Sequence, residues 1–407
     1  MTALSLTQVC SLLECPYHGW AFSAGGACAA IPQDAAGTAR LSPRACATAY
    51  ETQTAQGMLF VRLEASATPM PLPTIPELDD PAFVYIDVAR DLPYDYSSLL
   101  ENVLDVSHVP FTHHATVSNR VNGGPVELEV VAPGVSKAGF SGLWQEGPRK
   151  GKLGPQHTRF VAPSLMYHSL VAPSLGTTLT VVYGTPTTPG RVRLLARFPF
   201  KFNSAIPAFV IRNTPRWVQH QGQNGVLEDD VVFLAVQEQE LAATEAAGRS
   251  FAQSCFMPLA QDAYVLAFRA WLARFTRGAS PWPAGALLSA PRAQSKEELL
   301  DRYLSHTVNC VSCMAALRGV RLARTLALAA AVLSAMALTA SLVVAALAPA
   351  SAFASPVAAA LALLASLLGW NKLGAVEQGF IAGPLTPKRN LVTKQSTKNA
   401  STKIKLV

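Results

Sequence analysis

The residues with the clearest potential for chemistry lie in one short stretch, ENVLDVSHVPFTHH, which spans residues 101–114. His108 and His113 lie five positions apart in it, so their imidazoles can occupy one edge of a metal site. A distant carboxylate would complete a 2-His-1-carboxylate triad, which leaves positions on non-haem Fe(II) open for dioxygen. A histidine-rich surface turn is the simpler interpretation. Asn102 and Asp105 on the same segment, together with a second iron-type motif upstream, favour the metal centre.

The upstream motif is the string CPYHGWAF, in which Cys15 and His18 lie three positions apart. A Rieske [2Fe-2S] centre binds one iron through two Cys thiolates and the other through two His rings. A Cys-x-x-His pair by itself is equally typical of half a zinc site. The aromatic residues and the Gly-rich turn that follow make the whole string more specific for one Rieske ligand loop.

Together, the two strings resemble the Rieske non-haem iron oxygenases, and among these the plastid group that contains pheophorbide a oxygenase. The resemblance implies that Cys15 and His18 bind the [2Fe-2S] cluster and that His108 and His113 bind a mononuclear Fe(II). The family's first cluster loop, a Cys-x-His pair, has no counterpart upstream of Cys15. We therefore expect the chain as written to be N-terminally incomplete and to lack half of the cluster ligands.

The third iron ligand is expected in the helix-compatible segment VLEDDVVFLAVQ, residues 226–237. Its consecutive acidic residues alone would indicate a solvated helix start. The resemblance favours Asp230, seven residues before Gln237, with Asp229 as the alternative. It also implies that Asp105 bridges the electron path in a trimer, hydrogen-bonded between an iron-ligand His and a cluster His of the neighbouring subunit. Asn102 is expected to line the same site.

Cys310 and Cys313 form a Cys-x-x-Cys pair near the C-terminal third of the chain. Such a pair can be a redox dithiol, half of a zinc site or a coincidence, and no second Cys pair offers zinc-like spacing. The resemblance implies a thioredoxin-sensitive pair and so favours the redox dithiol. His306 beside it is expected to be structural, although it could shift the pKa of a thiol.

The elements around these motifs predict an α+β protein of several parts. Short alternating runs between residues 126 and 200 indicate an antiparallel sheet, which with flanking helices gives the helix-grip-like catalytic domain of the family. The predicted parts are a partial β Rieske domain (1–66), a Pro-rich linker (67–81), a catalytic domain with the Cys-x-x-Cys pair (82–316), two transmembrane helices (322–373) and a disordered basic tail (383–407).

The membrane prediction rests on residues 325–371, which carry no charged side chain and exceed the roughly 20 residues that one crossing needs. Prolines near residues 349–356 divide the run into two helices, about 325–347 and 356–371. Both ends of this hairpin are basic, so the positive-inside bias places the catalytic domain on the stromal or cytosolic side. The chain has a net charge of +7, but its basic residues are not interleaved with aromatic residues as they are on a nucleic-acid-binding surface.

The function that the resemblance implies is a membrane-anchored oxygenase of the chloroplast inner envelope or thylakoid, facing the stroma. It would oxygenate a chlorophyll-derived tetrapyrrole with O2 and electrons from ferredoxin. Two alternatives stay open. One is a related protochlorophyllide or phyllobilin hydroxylase, and the other is a redox-sensing component of a plastid protein-import complex.

Overall fold

The computed structural model describes residues 7–9, 12–62, 71–276, 294–347 and 354–391, and the chain divides into two compact units, residues 1–79 and 80–407. In the first unit, four short strands form an antiparallel sheet in sequence order, and a separate hairpin pairs two more. They are β1 (Thr7–Val9), β2 (Leu12–Glu14), β3 (Ala21–Phe22), β4 (Cys28–Ala30), β5 (Glu51–Ala55) and β6 (Met58–Arg62). The small β domain expected from the sequence is confirmed.

The second half of the predicted Pro-rich linker is packed structure. Ile75 is 1% exposed, and the Gln56 side chain forms hydrogen bonds with both the carbonyl and the N–H of Ile75. The Gln56 amide donates to the Ile75 carbonyl at 2.7 Å, and the Ile75 N–H donates to the Gln56 amide oxygen at 3.2 Å. Residues 71–79 therefore belong to the first unit, and residues 67–70 lie outside the described part of the chain.

The second unit is built on a seven-stranded antiparallel sheet with the order β7-β13-β12-β11-β10-β9-β8. Its strands are β7 (Val84–Leu92), β8 (Glu129–Val130), β9 (Gly139–Trp144), β10 (Gln156–Val161), β11 (Leu165–Ala172), β12 (Gly176–Thr188) and β13 (Arg191–Phe202). In β10 buried and exposed residues alternate strictly over the first five positions, as expected for a strand with one face against the core. The antiparallel sheet predicted between residues 126 and 200 is thus confirmed.

Helices cover the inner face of this sheet and complete its core. They are α1 (Tyr96–Leu104), α2 (Val109–Thr112), α3 (Ala205–Asn213), α4 (Arg216–Ala246), α5 (Phe251–Ser254), α6 (Ala263–Phe275) and α7 (Lys296–Leu299). Side chains of α1, α4 and α6 share one hydrophobic cluster with the sheet. The approach of α6 is close: a Cβ added at Gly142 would lie 2.3 Å from the ring of Tyr264, so only glycine fits there.

Two long apolar helices follow, α8 (Val311–Leu347) and α9 (Ala354–Ile381), and both are long and apolar enough to cross a membrane. They pack against each other, and Glu377 of α9 binds Arg321 and Arg324 of α8 at 2.8 Å each. Both helices extend further than the sequence predicts, because their ends carry this ion-pair network and do not stop at the first charge. Residues 348–353, the predicted break, lie outside the described residues.

The first part of the tail predicted to be disordered is ordered in the structure. After α9 the chain passes close to α4, since a Cβ at Gly383 would lie 2.4 Å from the Glu228 carboxylate. A short 3-10 turn, Lys388–Asn390, then places Arg389 against Asp229. The prediction of disorder for 383–391 was therefore wrong, because composition alone does not show these specific contacts; residues 392–407 are not among those described.

Candidate metal sites

His108 and His113 flank α2, a one-turn helix, and their rings meet on one side of it. His108 is the residue before this helix and His113 the residue after it. The two Nε2 atoms lie 3.3 Å apart, and the ring centroids lie 5.2 Å apart. The five-residue spacing therefore brings both imidazoles to one point, as the sequence predicted.

Asp230 reaches the same point from α4. Its Oδ2 lies 3.3 Å from His113 Nε2, and its Oδ1 lies 3.8 Å from His108 Nε2. These three residues form a group whose donor atoms all lie within 4.8 Å of one another. Two imidazoles at cis positions of an octahedral ion would place their nitrogens about 3 Å apart. The donor set and its spacing fit a 2-His-1-carboxylate site.

Hydrogen bonds on the far side of each ring fix its orientation. His108 Nδ1 lies 2.5 Å from the backbone carbonyl of Asp105, which can only accept, so the proton belongs on Nδ1. His113 Nδ1 lies 3.4 Å from Asp229 Oδ2. Both arrangements leave the Nε2 lone pairs directed at Asp230, which is the tautomer that a metal ligand needs.

Asp229, the alternative ligand, turns away from the donor point and holds its surroundings. Its Oδ2 accepts a hydrogen bond from Thr116 Oγ1 at 2.8 Å, and its Oδ1 accepts from Arg389 at 3.2 Å. Arg389 also donates to the backbone carbonyls of Thr112 and Asp229 and lies over the ring of Phe233. The role of Arg389 could not be predicted from the sequence, since no local signal links this tail residue to α4.

The electrostatics of the site favour a cation. Burial lowers the pKa of His113, but its hydrogen bonds to Asp229 and Asp230 outweigh burial and raise that pKa to about 9. Two largely buried carboxylates around one ring thus stabilise positive charge, which a proton or a metal ion can supply. His108 is the more open side of the site, with its side chain 17% exposed.

Asn102 and Asp105 both lie beside His108. The amide nitrogen of Asn102 is 3.5 Å from His108 Nε2, at the edge of the donor point. Asp105 ends α1, and its Oδ1 accepts hydrogen bonds from the backbone and hydroxyl of Ser107. Its other oxygen lies 3.8 Å from His108 Nδ1, and the side chain is 34% exposed. The carboxylate therefore combines a structural role with access to solvent.

Cys15 and His18 lie on the turn between β2 and β3. The turn is closed by the Cys15 N–H donating to Trp20 O at 2.8 Å and the Gly19 N–H donating to Cys15 O at 2.9 Å. Neither residue belongs to a cluster of three or more donors within the described part of the chain. A Rieske cluster needs two Cys and two His ligands, so this turn supplies one half of such a donor set. Cys10 lies outside the described residues.

The Cys310 and Cys313 thiols are accompanied by two histidines. His220 Nδ1 lies 3.4 Å from each sulfur, and His306 Nε2 lies 3.3 Å from Cys313 Sγ. His306 was expected beside the pair from the sequence, but His220 was not. It is 90 residues before Cys310 and is brought there only by the packing of α4 on α8. The pKa of Cys310 is lowered, first by its hydrogen bond with Cys313 and then by those with the two histidines.

Neither His168 nor His157, the two histidines on strands of this sheet, belongs to a group of potential ligands among the described residues. His168 Nδ1 lies 2.8 Å from Thr158 Oγ1, and its Nε2 lies 2.9 Å from the Val103 carbonyl. Burial lowers the pKa of His168 to about 4, so the ring is neutral at physiological pH. His157 is exposed on β10.

Comparisons with known proteins agree with this geometry. The model of the pheophorbide a oxygenase family matches residues 160–247, and that of the Rieske [2Fe-2S] domain matches residues 3–50. The chloroplastic pheophorbide a oxygenase of Oryza sativa subsp. japonica is 34% identical over 332 residues, which cover 75% of this chain and 61% of that protein.

Other relatives carry different names. The chloroplastic flavonoid 8-hydroxylase 2 of Ocimum basilicum is 30% identical, over 75% of this chain and 61% of its own length. The chloroplastic protochlorophyllide-dependent translocon component 52 of Arabidopsis thaliana is 29% identical, over 74% of this chain and 61% of its own length. The chain thus spans about three fifths of the length of these curated relatives.

A solved structure shows the same fold. Pseudomonas putida CBB5 NdmB superposes with a TM-score of 0.50 at 19% identity, over 66% of this chain and 72% of that chain. The two matched family models and the 34% identity to the rice protein place the sequence more narrowly. The chain is thus a homologue of the chloroplastic pheophorbide a oxygenases and carries a match to the Rieske [2Fe-2S] domain.

Proposed function

We propose that this chain carries the catalytic iron site of a membrane-anchored Rieske-type monooxygenase. In this proposal His108, His113 and Asp230 bind one Fe(II). The observation that carries it is the convergence of their three donor atoms within 4.8 Å, with the more open side at His108. When bound, Fe(II) supplies the chemistry that activates dioxygen at its open positions.

The residues around the donor point prepare it for that ion. The Asp105 carbonyl and the Asp229 carboxylate hold the two imidazoles in the ligating tautomer, so less reorganisation is needed when the metal binds. Asp230 supplies a negative charge in a largely buried position. Asn102 can donate a hydrogen bond to a polar group at the open side. In this proposal these residues orient the two imidazole rings and hold the ion in one coordination geometry.

Asp105 has a further proposed role. Its carboxylate is 34% exposed while its backbone holds His108, so a group outside this chain can reach it. We propose that a histidine of a neighbouring subunit in a homotrimer binds it and that electrons originate from ferredoxin. The half set of cluster ligands at Cys15 and His18 is compatible with this proposal but does not complete it.

The apolar hairpin supports a membrane-bound enzyme with a lipophilic substrate. In the proposal α8 and α9 cross a plastid membrane, and the basic residues Arg318, Arg321, Arg324 and Lys372 keep the catalytic unit on the stromal side. The substrate proposed is a chlorophyll-derived tetrapyrrole, in agreement with the name of the rice relative, pheophorbide a oxygenase. The inner envelope and the thylakoid are both suitable membranes.

The test combines metal content with turnover. The full chain in detergent should bind one Fe(II), and nitric oxide, a probe of open positions, should give a high-spin iron signal in electron paramagnetic resonance. His108→Ala and Asp230→Ala should lose both. Because Cys15 and His18 supply only half of a cluster donor set, a soluble chemical reductant replaces the cluster's electrons in the assay, and pheophorbide a should then gain oxygen as seen by mass spectrometry. A chain that binds no iron, or whose His108→Ala variant retains the signal, would refute the site.

A second substrate class is favoured by one specific observation. The flavonoid 8-hydroxylase 2 relative shares 30% identity over the same share of the chain, so the iron site alone does not select the substrate. Product analysis with pheophorbide a, protochlorophyllide and a flavone in parallel distinguishes these substrates. A role in protein import, suggested by the translocon relative, would instead show iron binding without turnover of any of them.

A further inference from the structure

Cys310, Cys313, His220 and His306 form a second group of potential metal ligands, far along the chain from the iron site. His220 lies in α4, His306 precedes a 3-10 turn, and the two cysteines flank the start of α8. All four donor atoms lie within 4.8 Å of one another. Cys313 is 1%, His306 4% and His220 7% exposed, while Cys310 is half-buried, so three of the four ligands are enclosed.

The distances between these donors match one tetrahedral ion. Ligands bound at roughly 2.0 Å (His) and 2.3 Å (Cys) in a tetrahedron have sulfur and nitrogen atoms about 3.5 Å apart. The observed distances are 3.4 Å from His220 Nδ1 to each sulfur and 3.3 Å from His306 Nε2 to Cys313 Sγ. The two rings meet edge to face, with centroids 4.9 Å apart. Both nitrogens therefore face the sulfurs from different directions.

The surroundings hold one of the rings in the ligating tautomer. His306 Nδ1 lies 2.6 Å from the Ala89 carbonyl of β7, which can only accept a hydrogen bond, so the ring proton belongs on Nδ1 and Nε2 is free to bind a metal. The loop that carries His306 is itself anchored, because Thr307 donates from Oγ1 to the Phe380 carbonyl at 2.7 Å. This donor ring is thus positioned before any ion arrives.

The chemical type and the total charge of the four ligands indicate which metal they would bind. The donor set among the described residues contains no carboxylate, and its neighbours Leu317, Phe380 and Trp217 are apolar. Two thiolates and two neutral imidazoles around a divalent ion give a neutral complex, which an apolar pocket can hold. A tetrahedral S2N2 set is typical of zinc, whereas Mg²⁺ and Ca²⁺ prefer oxygen ligands.

We propose that His220, His306, Cys310 and Cys313 bind one structural Zn²⁺. Binding converts two thiols to thiolates and releases two protons, with no change in oxidation state. A redox dithiol, the function predicted from the sequence, needs neither of the two histidines. Their placement on the sulfurs is what favours the metal.

The zinc site has a consequence for the iron site. His220 and Asp230 lie ten residues apart on α4, which corresponds to about 15 Å along a helix. The ion would join this helix to the start of α8, the first apolar helix. It therefore fixes the position of α4, which carries Asp230, relative to the hairpin.

The experiment measures zinc and iron in the full chain, purified in detergent under reducing conditions without chelators and loaded with Zn²⁺ and Fe²⁺. Wild type should hold one zinc per chain. Cys313→Ser and His306→Gln should lose zinc. Cys255→Ser and His157→Gln, changes at a cysteine and a histidine outside the cluster, should keep it. His108→Ala should lose iron and keep zinc, which separates this proposal from the one for the iron site.

A second measurement does not depend on variants that could misfold. Stoichiometric modification of the wild-type thiols with an organomercurial should release the zinc, as read with a chromophoric chelator. Wild type without zinc would overturn the proposal, and so would zinc that stays bound in Cys313→Ser. If the metal-free protein contained a Cys310–Cys313 disulfide and still bound no zinc after reduction, the pair would be a redox dithiol and the proposal would be wrong. If Cys313→Ser lost iron and kept its zinc, the metal at this site would be iron and the assignment of zinc would be wrong.

Discussion

At the scale of single residues, two adjacent carboxylates have different contacts in the proposed iron site. Asp230 points to the two Nε2 atoms, and Asp229 supports the back of the His113 ring. Neighbouring positions on a helix differ by about 100° in direction, so the same pair cannot exchange roles without turning α4. The difference between a ligand and a supporting residue is therefore testable by substitution.

We expect Asp230→Asn to lose most of its iron, because the amide removes the charge that binds Fe(II). Asp229→Asn should keep the site but weaken iron affinity by roughly 10–100-fold, the usual effect of removing a partner of a ligating histidine. Iron titration of the purified chain measures both. Glu240→Gln, an exposed change on the same helix, is the control. Equal losses in both variants would contradict the assignment of roles.

We also expect Arg389→Gln to weaken iron binding, although Arg389 is distant in sequence from every ligand. The change removes its ion pair with Asp229 and its contacts with two backbone carbonyls. Arg389→Lys should restore only part of the affinity, because lysine lacks the planar fork of donors. The neighbouring Lys388→Gln serves as a matched control. Unchanged affinity in Arg389→Gln would show that the tail does not support the site.

At the scale of elements, α4 connects the parts of the second unit. It carries the Asp230 carboxylate, the His220 ring and a buried ion network centred on Glu228. Glu228 binds Arg90 of β7 at 2.8 Å and Arg302 at 2.6 Å, and all three side chains are less than 10% exposed. Arg302 also donates to the Gly379 carbonyl of α9. Sheet, helix and hairpin are thus joined through one carboxylate.

Glu228→Ala should destabilise the protein strongly, since it leaves two arginine side chains buried without their counter-charge. Breaking a buried ion pair typically costs about 3–5 kcal/mol. Thermal unfolding in detergent, followed by intrinsic fluorescence at a fixed scan rate, should show a clearly lower Tm. Glu240→Ala, on the exposed side of the same helix, should change the Tm little. A similar Tm for both variants would show that the network does not hold α4 in place.

The raised pKa of Glu238, on α4, predicts that the stability of the protein depends on pH. Burial raises its pKa from 4.5 to about 7, against the lowering effect of its hydrogen bond from the Asp95 N–H. The stabilising contribution of the protonated group is therefore complete below about pH 4.5 and is lost as pH rises through about 7. The Tm difference between Glu238→Gln and wild type should grow across this range. A difference independent of pH would contradict the raised pKa.

At the scale of the whole molecule, the apolar hairpin gives the catalytic unit an attachment. Each helix contains a stretch apolar enough to cross a membrane. Only 6% of this stretch is buried within the structure in α8, and 0% in α9. Exposed apolar surface of this length needs a partner, and lipid is the proposed one. The ion pairs of Glu377 with Arg321 and Arg324 join the two helices just outside the uncharged stretch.

We expect the full chain to remain in membranes after carbonate extraction. A charge in the middle of α8 should weaken this attachment, since placing lysine near the centre of a crossing helix costs about 2.5–3.5 kcal/mol in insertion. Leu333→Lys is suitable because this side chain is 66% exposed. Leu304→Lys, equally exposed but outside the hairpin, is the control. Release of the wild-type chain by carbonate would refute membrane integration.

The sequence by itself determined the parts of the sites that are local. The spacing of His108 and His113 around a one-turn helix, the Cys310 and Cys313 pair, and the uncharged run of the hairpin all follow from short stretches of chain. The alternation of the strands likewise predicted an antiparallel sheet. These features depend on backbone periodicity, which is fixed within a few residues.

Only the tertiary structure decided which distant residues meet. The register of α4 against the sheet directs Asp230 rather than Asp229 to the histidines, and the packing of the same helix on α8 brings His220 to the cysteines. The return of the chain after α9 places Arg389 behind Asp229. Such contacts join positions about 90 to 160 residues apart, and the burial of side chains over the whole unit sets them.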